Sequence, residues 1–549
     1  PTSFNMPLLL AVISATLLAR LWPTLRSART SVVAHERARA RAPHKPFWQR
    51  FYLDFMLLIP VAYAYRQLAT KGTLVPEAIG GESGAGEDPL LFVVPALFTL
   101  TLSLLLVRAF PLLMRIGDWL SALGRQSTLY LAFRQLARQS AQYTSALLLV
   151  ITSLSLGAFM ASMAMSLDQW LVDQVHYAVG SDALIRQTVR PEEGGGSDPF
   201  GGSSASEGTA WAEGAWVLPV TDYLEVPSVT DAARVGMYPA TLSLGGNRTL
   251  KGTFIGVDRL DVPDVLFFRP DFGAASLGEM MNWLAAREDA VLLSERTMER
   301  GAYQVGDKIS IRVLLTDILV ESEFTIAGTF KYFPTVYEDE KPAVIGNLNF
   351  LFELAGATML HDIWLKIEPD ADRFEMVESV EKMGVYIGKW VDAREEVAKE
   401  QAKVERIGIF GTLTIGFLAA AVLSGIGLLV YNYASLQERL FRFTILRAVG
   451  LSLVQVVSQV AIEYIVLMVY SVAGGATIGV LASKLFIPFF QAADKNVLRP
   501  PMMIPLIAWQ DIGRISGAFT IVLVFAQIVV ISAALRKGVF QALRMGDQE

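Results

Sequence analysis

Residues able to do covalent or metal chemistry are sparse in this chain of 549 residues. It holds no cysteine, which excludes disulfides, thiolate metal sites and a thiol nucleophile. Its four histidines, His35, His44, His176 and His361, form no pair at ligand spacing, so no metal site is expected. No Gly-rich phosphate loop ending in Lys and Ser or Thr occurs, so the chain has no evident ATP site of its own, and no Ser/His/Asp arrangement can be drawn. The pattern that stands out is instead a charged, helix-forming run from Glu438 to Gly450, directly behind a stretch from Ile407 to Tyr431 that carries no charge. Within it Glu438, Arg439, Arg442, Ile445, Leu446 and Arg447 mix ionic and apolar side chains over a few turns, and Gly450 suits a left-handed C-cap. Such a run either docks a protein partner or merely fixes membrane topology through its arginines.

The elements that must position this run are membrane spans. Hydrophobic residues make up 53% of the chain, only a little above the soluble average, so the excess must be concentrated in patches. The stretch from Ile407 to Tyr431 has about the length a helix needs to cross roughly 30 Å of hydrocarbon. Six further apolar runs read as spans: Met6–Trp22, Phe51–Leu68, Leu90–Val107, Ser145–Leu167, Val456–Leu481 and Ile515–Leu535. Arginines cluster in the links 26–50 and 108–125, behind the fifth span and at Arg536, which places those links and the C-terminus in the cytoplasm. The fold expected is a polytopic α-helical membrane protein of seven spans, with a large α+β extracytoplasmic domain between spans four and five.

That domain is expected at residues 168–405, where no apolar run is long enough to span. Short β-rich runs recur in it (Thr253–Val257, Ala290–Leu293, Lys308–Val313, Phe324–Thr329), with helical patterns from Met280 to Arg287 and from Asp372 to Met383. A Gly-rich, acidic loop is expected across 191–209. The charged helix from Asp392 to Arg406 reads as an exposed stalk returning to the membrane. Before span four, Leu129, Phe133 and Leu136 share one helical face while Arg134 and Arg138 share another, an amphipathic helix for the membrane surface and a second candidate cytoplasmic contact. The link after span six is too broken to cross. Its Phe486, Phe489, Phe490, Met502 and Met503 are candidate gate or lipid-contact residues at the outer interface. Glu463 lies in the cytoplasmic third of span six, where an ionisable group is either functional or a capping group.

A span followed by Glu-Arg, then Ile-Leu-Arg-Ala-x-Gly, then an apolar helix with an early acid resembles the cytoplasmic loop of FtsX/MacB-type ABC transporter permeases, the type VII ABC superfamily. Arg442 and Thr444 depart from the family pattern, which there carries an acid and a Gly. The order of an amphipathic basic helix, a span, a polar extension and Gly180-Ser181-Asp182 resembles the opening of an FtsX-like unit. The stretch 1–50 resembles the last span and basic tail of an upstream unit, and 51–123 supplies two connecting spans. The chain opens on Pro1 and reads as the C-terminal part of a protein with two such units.

The resemblance implies a permease subunit of the bacterial plasma membrane, itself not an enzyme. A cytoplasmic ABC ATPase dimer, holding ATP and Mg, would dock on the coupling helix 437–450, while this chain holds no cofactor. It implies export or extraction of an amphiphile such as a lipid, lipoprotein, peptide or drug. The alternative is a non-transporting mechanotransmission subunit that regulates an extracytoplasmic cell-wall hydrolase or sensor. The partners implied are the ATPase, the bilayer and an extracytoplasmic protein or lipoprotein, with no nucleic acid.

Overall fold

The computed structural model describes residues 47–71, 90–122, 127–187, 217–244, 248–315, 318–337, 341–385, 387–403, 452–490 and 500–546, with a few isolated positions between them. Among the described residues, four helices are long and apolar enough to cross a membrane. They lie within α2 (Leu90–Ala122), α4 (Ser140–Val179), α10 (Leu453–Phe486) and α11 (Trp509–Gly546). The first expected span apart from Ser14, most of the fifth and the whole coupling helix 437–450 fall outside the described residues.

The second expected span is not one continuous helix. Tyr52 sits in the left-handed region at φ 53°, a short helix follows at Leu53–Met56, and α1 (Leu58–Lys71) carries Pro60 in its first turn, where the missing N–H costs little. Asp54 explains the irregular start. It is fully buried and accepts two 2.8 Å hydrogen bonds from Arg108 Nη1, while the guanidinium carbon lies 4.4 Å from the Tyr52 ring centroid. The same pair lets α2 run on past Val107, where the sequence alone ends the span, because Arg108 finds its counter-charge inside the bundle.

The amphipathic helix expected at 129–139 is α3 (Ser127–Arg138), with Ala132 and Leu136 fully buried. Helices α4 and α10 pack closely through small residues. A Cβ on Gly479 would lie 2.5 Å from Ala158 Cβ and 2.7 Å from the Ser155 carbonyl, and one on Gly475 2.8 Å from Leu154 Cβ. Tyr143 donates a 2.9 Å hydrogen bond to Glu463, which is 2% exposed, so this acid ties α10 to α4 rather than capping an end.

Between α4 and α10 lies the α/β domain. Its strands are β1 (Ala183–Gln187), β2 (Val229–Ser243), β3 (Thr249–Val257), β4 (Ala290–Ser294), β5 (Lys308–Leu315), β6 (Ile318–Phe330), β7 (Ala343–Asn347), β8 (Asp362–Ile367) and β9 (Ile387–Asp392). They form one sheet in the order β3-β7-β4-β6-β5-β2-β8-β1-β9, and β2 also pairs with β3. The long strand β2 makes this possible: residues 229–235 pair with β8, while residues 235–243 pair with β3, closing the first six strands into a ring. Alternation sorts the core. Phe254, Val291, Leu293 and Val344 meet on one face of the ring, and Ile255, Ala290, Leu292 and Ile345 on the other, against Met280, Met281 and Leu284 of α5 (Leu277–Ala285). The second half of the sheet rests on α8 (Arg373–Lys382) through Met376 and Val380. A Gly-Asp turn leads into β5: Gly306 takes φ +100° and Asp307 Oδ2 accepts from Gln304 N–H at 2.8 Å.

Candidate functional site

Helix α4 is the element around which the site forms. Its 40 residues rise about 60 Å, twice the thickness of a bilayer core, so it must leave the membrane and enter the α/β domain as one rod. Along one face Ser162, Ser166, Trp170 and Asp173 recur at spacings of three and four, and each holds part of another element. Ser166 Oγ accepts from Leu506 N–H at 2.9 Å, and Trp170 Nε1 donates to the Pro501 carbonyl at 2.9 Å. Residues 501–506, the link between α10 and α11, are thereby laid along α4.

One turn further on, Arg269 of the α/β domain joins all three parts. Its Nη1 meets Asp173 Oδ2 at 2.7 Å, its Nε and Nη2 meet the Asp271 carboxylate at 2.8 and 2.6 Å, and Nη2 also donates to the Met502 carbonyl at 2.9 Å. Gln169 steadies the other oxygen of Asp173 at 2.9 Å. Burial works against the Arg269 charge, but the carboxylates of Asp271 and Asp173 outweigh it and hold the guanidinium above its ordinary pKa. It is therefore a permanent cation, paired on two sides.

The end of α4 is fixed as firmly. Tyr177 is fully buried; its hydroxyl donates to the Val336 carbonyl at 2.7 Å and its backbone carbonyl accepts from Thr335 N–H at 2.7 Å. Gly180 closes the helix at φ +95° directly beneath Trp364, where a Cβ would lie 2.4 Å from Cη2. The returning helix α9 (Ala393–Gln401), shorter than the stalk expected to Arg406, lies beside α4: Ala393 N–H donates to the Asp182 carbonyl at 2.9 Å and Gln401 Nε2 to Asp168 at 3.3 Å. A displacement of α4 along or across the membrane is thus imposed on the domain at several independent points.

Of the residues singled out from sequence, Glu438, Arg439, Arg442, Ile445, Leu446, Arg447 and Gly450 lie outside the described residues. Arg134 is half-buried, hydrogen-bonded to Tyr130 and 5.4 Å from its ring centroid, and Arg138 is exposed. The five link residues come together, two of them buried in protein and three partly exposed. Phe486 (1% exposed) and Met503 (3%) are buried among Leu68, Val94, Phe159 and Met163, with Phe489 and Phe490 packed on that cluster and Met502 half-buried beside it. Phe486 has Phe98 at 5.2 Å and Tyr65 at 6.0 Å, edge to face. Protein side chains from α1, α2 and α4 cover Phe486 and Met503, while Phe489 and Phe490 keep part of their surface exposed. The sequence reading missed Arg269 and Asp173. The polar spacing from Ser162 to Asp173, running out of an apolar segment, was the available signal.

Comparison with known proteins bears on the membrane half. Residues 414–539 match the FtsX-like permease C-terminal family. The FtsX-like stretch takes in the coupling run, all of α10 and most of α11, and agrees with the resemblance drawn from Glu438–Gly450. Two solved structures are similar to the chain. The extracellular domain of the noncanonical ABC-type transporter YknZ from Gram-positive bacteria is 11% identical, with 31% of this chain and 84% of that one covered at a TM-score of 0.22. The periplasmic region of MacB from Actinobacillus actinomycetemcomitans is 10% identical, with 41% and 96% covered at a TM-score of 0.26. No curated protein matches the chain.

Proposed function

We propose that this chain is the membrane-spanning permease subunit of an ATP-driven system of the bacterial plasma membrane. In this reading a partner ATPase dimer, which binds ATP and Mg, docks on the helix 437–450 and on the surface bearing Arg134 and Arg138. The α/β domain lies outside the cell and the C-terminus inside, as Arg536 and Lys537 behind the last span favour. Helix α4 carries the movement between them. The observation that carries the proposal is the continuity of α4 from Ser140 to Val179, locked to the domain through Asp173–Arg269, within a chain whose segment 414–539 is FtsX-like. The work done is export or extraction of an amphiphile, with the aromatic cluster at Phe486 as the part that must open.

One observation favours a second reading, a subunit that moves its outer domain to regulate a cell-wall hydrolase or a sensor and transports nothing. Phe486 and Met503 are filled in by protein, so the link presents no open apolar gate in this conformation. Amphiphile-stimulated ATP hydrolysis that is lost in Phe489→Ser/Phe490→Ser supports transport; hydrolysis unaffected by both amphiphile and substitution supports regulation.

The test of the shared claim is co-purification of the full chain with cytoplasmic partners, comparing wild type with Glu438→Arg/Arg447→Glu. An ATPase retained by the wild type and lost from the variant is the expected result. If neither form retains an ATPase, the permease reading fails and the α/β domain stands as a receptor in its own right.

A further inference from the structure

A cleft of about 700 Å³ opens between α4, the β1–β9 strand pair and α9, a volume within the range of small-ligand sites. Its charges are segregated. Arg186 and Lys389 stand opposite one another in the β1–β9 register, at the end away from α9. Arg186 gives Nε and Nη2 to Asp362 at 3.1 and 2.9 Å, which leaves Nη1 uncommitted on a side chain that is 52% exposed. Lys389 is exposed and has no salt-bridge partner among the described residues. At the other end Glu396 and Glu400 lie one turn apart on α9, each touched by a lysine that is itself 57% exposed, Lys399 and Lys403. Such exposed pairs are weak and exchangeable. Leu171 and Val175 of α4 and Leu184 and Met237 of the sheet give the cleft apolar wall, beside the polar side chains of Gln174, Thr335 and Tyr337.

The spacing of the poles sets the size of what fits. From Lys389 to Asp392 the strand rises about 10 Å, and from Asp392 the helix rises about 6 Å to Glu396 and about 12 Å to Glu400. The backbone positions of the two poles are therefore at most about 16 to 22 Å apart, the reach of five or six extended residues. We propose that this cleft binds a zwitterionic oligopeptide of about that length, its ammonium held by Glu396 and Glu400 and its carboxylate by Arg186 and Lys389. Apolar side chains of the peptide rest on Leu171, Val175, Leu184 and Met237. Because α4 and α9 form two of the walls, an occupant braces the pair of helices that join the domain to the membrane. The proposal concerns binding alone and does not rest on the ATP-driven reading.

Isothermal titration of the full chain in detergent micelles with an apolar pentapeptide bearing free termini tests it. Saturable one-site binding is expected, weakened about three- to five-fold by N-acetylation and by C-amidation of the peptide. Glu396→Gln/Glu400→Gln must lower affinity for the free-amine peptide and abolish the effect of acetylation, and Lys389→Gln must reduce the effect of amidation, which Arg186 then carries alone. The capped peptides measured on wild-type protein keep the test independent of whether a variant folds. Absence of saturable binding, or binding indifferent to capping and substitution, overturns the proposal and marks adsorption of an apolar peptide to the micelle.

Discussion

Arg269 Nη1 lies 2.7 Å from Asp173 Oδ2, with side chains only 9% and 11% exposed, and the same guanidinium holds the Met502 carbonyl. One cation thus fastens the α/β domain to the rod that leaves the membrane and to the link between the last two helices.

Removing Arg269 leaves the buried Asp173 without its counter-ion, so the loss exceeds that of a surface pair. Arg269→Gln should destabilise the domain–membrane junction by about 3 kcal/mol. Asp173→Asn should cost about 1–3 kcal/mol, less because Asp271 still pairs the arginine. The double variant should cost less than the sum of the two, read by hydrogen exchange of residues 170–180. Additive costs would show that the two side chains do not act on one another.

Two of the left-handed glycines, Gly306 and Gly180, separate conformational strain from steric crowding. Gly306→Ala meets nothing within 4 Å at φ +100°, so it should cost only the backbone penalty of about 1–2 kcal/mol. Gly180→Ala carries the same penalty and also drives a Cβ into Trp364, and should lose several-fold more in thermal unfolding of the domain. Gly180→Ala/Trp364→Leu should recover part of the difference.

His361 makes the domain sensitive to mild acid. Burial pulls its imidazole below the ordinary pKa against the upward pull of the Met359 carbonyl, with Arg234 adding to the depression. In the folded state the ring stays neutral where the unfolded chain would already be protonated. Its contribution is therefore complete above the ordinary histidine value of about 6.5 and is lost as pH falls below it towards the folded value. Protection of the β8 amides should decline between about pH 7 and pH 5 in wild type and decline less in His361→Gln, which keeps a donor for the Met359 carbonyl.

Much of this architecture was legible because it is local. The period of Leu129, Phe133 and Leu136, the uncharged lengths of α4 and α10, the strand runs at 290–293 and 308–313, and the Gly306-Asp307 turn each carry their own signal within a dozen residues. What escaped depends on distant partners. Asp173 and Arg269 are 96 residues apart, and nothing near either marks it as paired. Arg108 argues for a helix end until Asp54 is seen to neutralise it. Phe486 and Met503 look like lipid-facing residues until α1 and α2 are found covering them. The ring of strands likewise turns on β2 pairing with β8 along its first half and with β3 along its second, which no alternation within 229–243 reveals.

The central claim, that ATP-driven movement reaches the α/β domain through α4, is tested most directly by a distance across the junction. The absence of native cysteine allows spin labels at Glu299→Cys on the domain and Arg514→Cys at the start of α11, both exposed positions. Double electron–electron resonance on the full chain with its ATPase should show that distance shift when ATP is bound and trapped. The shift should shrink in Arg269→Gln, which removes one of the points joining α4 to the domain, while hydrolysis continues. An unchanged distance in the wild type during turnover, or a shift that survives Arg269→Gln intact, would contradict the account.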